Sequence, residues 1–189
     1  MARVLVPLAE GFEELEAITV VDLLRRAEIE VVTAGLVDGP VVASRRTVVV
    51  PDVSLASVVD DPFDMVVLPG GQPGANHLNE DSRIHDVLRR LAESGAFVAA
   101  ICAAPLVLAH AGLLDGKQVT AFPGTLEPLN QGAFTIVSAS VVQDERVITS
   151  RGPGTALDFA LTLIEILTDR KTRSAVEEKL QRPDWNWTA

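Results

Sequence analysis

The sequence predicts an α/β fold: a flavodoxin-like three-layer sandwich with a mostly parallel sheet and helices on both faces. Three observations point there. Short apolar runs at Arg3–Leu8, Asp64–Leu68 and Phe97–Ile101 have the length and composition of buried parallel strands. Segments with helical spacing, such as Phe12–Ala27 and Asp81–Glu93, alternate with them. Glycine-rich or small-residue corners then follow strands at Gly70-Gly71, Cys102-Ala103 and Gly152-Pro153-Gly154, on the carboxyl edge where α/β folds bind ligands.

Composition narrows the function classes. With 189 residues and 48% hydrophobic content, the chain has enough apolar material for one sizeable core, expected over residues 1–182 with a tail at 183–189. The net charge of −10 argues against nucleic acid and against a membrane surface as partner. A single cysteine excludes an intrachain disulfide and fits a reducing cytoplasm. His77, His85 and His110 are too few and too scattered for a zinc site, so no metal is expected. Phe97–Leu114 carries no formal charge, but Pro105, His110 and Gly112 interrupt it, and a buried strand followed by a buried helix accounts for it.

In chain order, Arg3–Leu8 opens as a strand. Glu10-Gly11 turns the chain into a helix whose first turns hold Glu13, Glu14 and Glu16, where the helix dipole favours carboxylates. On a helical wheel Glu16 aligns with Val20, Leu23, Leu24 and Ala27, Glu13 falls on much the same side, and Glu14 does not. A carboxyl held against apolar surroundings tends to keep its proton. Ile29–Ala34 is the next strand; Val41–Ala43 and Thr47–Val50 read as short strands around Ser44-Arg45-Arg46, where Arg45 is either an anion contact near a pocket or part of a solvated turn. Pro51–Asp61 reads as loop with one helical turn, and Asp64–Leu68 as a strand ending in Pro69-Gly70-Gly71. Paired glycines there bare backbone amides, which makes Gly71 a candidate oxyanion donor beside Gly70. No glycine pattern of a dinucleotide or nucleoside-triphosphate site occurs.

Asp81 or Ser82 caps a helix through Glu93 with Ile84, Val87, Leu88 and Leu91 as its apolar face, leaving His85 off that stripe and solvated. Gln118–Phe122 is a further strand. Phe134–Val142 and Arg146–Ser150 form a hairpin, and Thr155–Leu167 and Thr168–Leu180 are helices. Pro183–Trp187, with Trp185 and Trp187, is a tail or flap.

Cys102 sits between strand Phe97–Ile101 and a helix that Pro105 opens. The amide of Ala103 and the next N–H groups face its side chain, and these donors with the helix dipole favour a thiolate. Small Ala103 and Ala104 leave the sulfur reachable. Position alone also allows a merely packed cysteine. His110 stands about two helical turns further on, too far to serve as its base.

The stretches Glu10–Ala17 (EGFEELEA), Val66–Gly71 (VVLPGG), Ala99–Pro105 (AAICAAP) and Thr149–Leu161 (TSRGPGTALDFAL), in that order and spacing, resemble the DJ-1/PfpI (ThiJ) superfamily, in its DJ-1/YajL-like branch. The resemblance implies that Cys102 is a reactive nucleophile-elbow cysteine, that Glu16 rather than Glu13 is its partner carboxyl, and that the protein is a homodimer with this pocket near the interface. It places Phe122, in TAFP, where some members carry a histidine. Phe122 cannot accept a proton, which counts against the Cys-His dyad of a peptidase. With Gly70, Gly152 and Pro153, it is expected to wall the pocket.

The implied chemistry acts on 2-oxoaldehydes without a cofactor, in the manner of a glyoxalase or of a deglycase acting on a glycated amino group. Cys102 would form a hemithioacetal, Gly71 and Ala103 would hold its oxygen, and Glu16 would move the proton. The alternative is an oxidative-stress sensor or chaperone working through a Cys102 sulfinate.

Overall fold

The computed structural model describes residues 1–182; the expected Trp185/Trp187 tail lies outside the described residues. Strand alternation sets the layers. In β1 (Arg3–Leu8), Val4, Val6 and Leu8 point into one apolar core while Leu5 points into the other. β6 (Met65–Leu68) and β7 (Phe97–Ile101) repeat the division, with Met65, Val67, Ala99 and Ile101 on the first side and Val66, Leu68, Val98 and Ala100 on the second. A sheet apolar on both faces needs helices on both. The first core is covered by α1 (Glu14–Arg26), α5 (Ala156–Leu167) and α6 (Arg170–Lys179), and the second by α2 (Gly74–Glu80), α3 (Ser82–Glu93) and α4 (Pro105–His110).

The main sheet has seven strands in the order β10-β11-β7-β6-β1-β2-β5, with β2 at Glu30–Gly35, β5 at Val53–Ser54, β10 at Val141–Asp144 and β11 at Val147–Ser150. Every pairing is parallel except β10 with β11. β6, β7 and β11 are neighbours, so the corners after them lie side by side, and α1 enters beside them from β1.

The irregular parts differ from the sequence reading. Gly74–Glu80 is helical because its buried Leu78 packs into the second core and its buried Ala75 into the first, tertiary contacts that outweigh its polar, glycine-led composition. Val53–Ser54, expected as loop, adds an edge strand to β2. The short strands expected around Ser44-Arg45-Arg46 shrink to a two-stranded hairpin, β3 (Val41–Val42) with β4 (Val48–Val49). β8 (Gln118–Val119) pairs with β9 (Thr135–Ile136) in a small sheet of its own, so Phe134–Val142 is two strands rather than one. Among the described residues no helix is long and apolar enough to cross a membrane.

Candidate active site

The strand-end corners converge on Cys102. Its backbone is left-handed, φ +64°, a conformation that costs a non-glycine residue of order 1–2 kcal/mol and is held only when neighbours fix it. Two bonds do so. The Cys102 N–H donates to the Ser150 carbonyl at 2.9 Å, and the Phe122 N–H donates to the Cys102 carbonyl at 2.9 Å. The Ser150 hydroxyl is tied to Thr155 Oγ1 at 2.7 Å, which anchors the Gly152-Pro153 corner to the same strand end. Ser150 and Thr155 carry no chemistry of their own. Their positioning role was hidden in sequence because it depends on β11 lying next to β7.

Glu16 is delivered from α1. It is fully buried, and its Oε2 accepts the Gly70 N–H at 2.8 Å. Oε1 has no aligned hydrogen-bond partner, although the Cys102 thiol lies within interaction range of the carboxyl. Gly70 is the spacer between the two groups. A Cβ there would stand 2.7 Å from Cys102 Cβ, 2.8 Å from Glu16 Oε2 and 2.9 Å from the Ile101 carbonyl, closer than packed atoms allow. Glu13, the alternative left open by the wheel, is the residue before α1 and is only half-buried; its carboxylate accepts the Ser44 hydroxyl at 2.9 Å.

Burial pushes the Glu16 carboxyl up to about 7, against the opposing pull of Cys102 and the Gly70 amide. Burial and the Glu16 charge push the Cys102 thiol up to about 12, against the amides of Gly71 and Ala103. This corrects the expected easy ionisation. The amides of Gly71 and Ala103 do pull the thiol down, but desolvation and a neighbouring carboxylate outweigh two amide dipoles while Glu16 is charged. Placing the proton on Glu16 removes that repulsion, so one proton shared by the pair governs the thiol. The sulfur is also less open than expected: Cys102 is 9% exposed and Ala103 7%.

The remaining expected residues fall as follows. Phe122 is 51% exposed, and its ring lies against the buried Gly152. Arg45 is exposed on the β3–β4 turn, where its N–H donates to Glu14 at 3.1 Å. The histidines are engaged elsewhere: His77 Nδ1 with the Glu10 carbonyl, His85 Nε2 with the Asn79 carbonyl, and His110 Nδ1 with Asn79 Oδ1. His85 is therefore half-buried and bonded rather than solvated, because α2, the unexpected helix, brings Asn79 against it. Among the described residues no three His, Cys, Asp or Glu side chains are grouped to hold a metal ion. A cavity of about 590 Å³ bounded by Phe63, Phe97 and Arg146 lies at the opposite, amino-terminal end of the strands, and its lining holds no cysteine.

Comparison with known proteins bears on the family and the fold. The model of the DJ-1/PfpI family matches residues 2–166. The chain is 46% identical to the Drosophila melanogaster protein dj-1beta over 177 residues, 93% of this chain and 95% of the fly protein. The crystal structure of Drosophila melanogaster DJ-1beta superimposes with a TM-score of 0.92 over 97% of this chain and 99% of that one, at 44% identity. A glutathione-independent glyoxalase of Caenorhabditis elegans, DJR-1.2, is 37% identical over 93% of this chain and 94% of its own. An oxidised Toxoplasma gondii DJ-1 has a TM-score of 0.91 at 34% identity, covering 95% of this chain and 98% of that one.

Proposed function

The chain belongs to the DJ-1/PfpI family, and from that premise we propose that it converts 2-oxoaldehydes of the methylglyoxal kind to 2-hydroxy acids through Cys102, with Glu16 as acid and base. One observation carries this reading: a fully buried carboxyl pushed up to about 7, separated by Gly70 from a thiol held at a strained corner. The family relative named as a glutathione-independent glyoxalase supports the substrate class.

The steps balance without an added oxidant. The Cys102 sulfur bonds to the aldehyde carbon as Glu16 takes the thiol proton, and the carbonyl electrons move onto oxygen beside the amides of Gly71 and Ala103. Glu16 returns the proton to that oxygen, which gives the hemithioacetal. The Glu16 carboxylate then removes the hydrogen from the former aldehyde carbon, and the electrons form an enediol with the adjacent carbonyl. Reprotonation at the second carbon by Glu16, with the hydroxyl proton passing from the first oxygen to the second, leaves a thioester. Water cleaves the thioester to 2-hydroxy acid and free thiol. A glycated amino group fits the same opening step. Phe122, Gly152 and Pro153 wall the pocket. A homodimer completes the assembly, and exposed Leu15, Ile18 and Leu157 on α1 and α5 offer it an apolar face.

Purified protein mixed with methylglyoxal in the absence of glutathione is expected to form lactate, and Cys102→Ala and Glu16→Gln are expected to lose that activity. Absence of lactate from the wild-type protein would overturn the reading. The unpartnered Glu16 Oε1 favours a second one, an oxidative-stress sensor, since a protonated carboxyl there can donate to a Cys102 sulfinate. A two-oxygen mass gain under mild peroxide, without turnover, would select it.

A further inference from the structure

Two short helices follow the corners whose amides, of Gly71 and Ala103, favour the thiolate of Cys102. α2 starts just after Gly71 and α4 just after Ala103-Ala104, and each is too short to hold its own direction without tertiary support. Their inner faces are apolar, with Leu78 on α2 and Val107 and Leu108 on α4 buried in one core. Apolar contact resists separation but leaves sliding and rotation weakly defined. Directional bonds at the far ends supply what packing lacks.

Those bonds meet at one residue. Asn79, in the last turn of α2, accepts the His110 Nδ1–H on its Oδ1 at 2.9 Å, and His110 is the last residue of α4. The Asn79 carbonyl is an end-of-helix acceptor with no partner inside the helix, and it accepts the His85 Nε2–H of α3 at 2.8 Å. His85 Nδ1 is buried without a hydrogen-bond partner, so the Nε2–H bond to the Asn79 carbonyl is what orients the ring. Asn79 lies eight residues past Gly71, and His110 lies eight past Cys102. The tie is thus set at matching depth on the two helices, opposite the ends that present the amides.

We propose that Asn79, through His110 and His85, is a positioning residue that fixes the distance between the Gly71 and Cys102-Ala103 corners and so sets the amide donation to the thiolate. The proposal rests on Cys102 being the working thiol. Asn79→Ala and His110→Ala, in the full chain, are each expected to slow alkylation of Cys102 by iodoacetamide at neutral pH about threefold, equivalent to half a unit in the thiol pKa. Each is also expected to move the backbone amide resonances of Gly71 and Ala103. Because both remove the same bond, the double variant is expected to be no slower than either single one. His110→Asn, which puts an amide N–H where Nδ1–H stood, restores the wild-type rate. His110 is exposed, so its truncation leaves the core intact.

Wild-type alkylation with unmoved Gly71 and Ala103 resonances in His110→Ala would overturn the proposal, as would additive losses in the double variant. Neither readout uses an aldehyde. A clamp effect without lactate formation would therefore sink the proposed reaction alone, and lactate formation without a clamp effect would sink this inference alone.

Discussion

Glu14 and Glu16 stand two residues apart in the first turn of α1, with the same side chain and the same helix dipole, yet their acidities lie on opposite sides of an ordinary carboxyl. Glu14 is drawn upward by partial burial, but its own backbone amide, the Arg45 amide, Thr47 and Ser44 outweigh that and hold it at about 2. Glu16 has the Gly70 amide on one oxygen and no aligned partner on the other, and burial takes it to about 7. Depth of burial and hydrogen-bond supply together decide the outcome. The carboxyl with donors fastens the β3–β4 hairpin to the helix, and the one starved of donors is left with a proton to exchange.

The largest expected effect separates the two by substitution. Glu16→Gln should reduce lactate formation by about 10²–10⁴-fold, the usual worth of a positioned acid–base, whereas Glu14→Gln should leave turnover within about twofold of wild type. In the same Glu16→Gln protein the thiol should ionise more readily, because the neighbouring charge is gone, and iodoacetamide should react faster. Unfolding would also free the buried thiol, so the faster alkylation is read alongside a chemical-denaturation midpoint that stays at the wild-type value.

Gly70→Ala tests the gap that lets Glu16 and Cys102 meet. The added methyl would press on Cys102 Cβ, Glu16 Oε2 and the Ile101 carbonyl, and is expected to cost about 1–3 kcal/mol in chemical denaturation and at least about tenfold in turnover. A Gly70→Ala protein of wild-type stability and turnover would show that the corner has more room than these contacts allow.

Stability against pH should carry opposite slopes from the two residues. The Glu16 pKa is raised on folding, so its contribution is fully present below about pH 4.5 and is lost as pH rises to about 7, by about 3 kcal/mol in all. Glu16→Gln should flatten that decline. The Glu14 pKa is lowered on folding, so its contribution is present above about pH 4.5 and is lost as pH falls toward 2. Solvent screening keeps that smallest effect below about 1 kcal/mol, read as a shallower acid limb in Glu14→Gln.

Much of this was legible in the chain itself. The apolar runs of β1, β6 and β7 and the small residues after Ile101 are local signals, and they located the elbow. The helical wheel put Glu14 apart from Glu16, but it could not choose between Glu13 and Glu16, since that choice depends on where Gly70 packs. Family resemblance named Glu16, and the structure buries it while leaving Glu13 half-buried and bonded to Ser44. The helix α2 is not legible in sequence because GANHLNE has little periodicity of its own, and neither are the bonds of Asn79 to His85 and His110 that depend on it. Amide donors can be counted from a strand–helix corner and predict an acidic thiol, whereas the burial and the α1 carboxylate that reverse that direction cannot be counted there.

The most direct test is infrared titration of the buried carboxyl, followed through its protonated C=O band. The expected band persists well above pH 5, fades near pH 7, disappears in Glu16→Gln and survives in Glu14→Gln. A wild-type protein whose carboxyl groups are all ionised by pH 5 would contradict it.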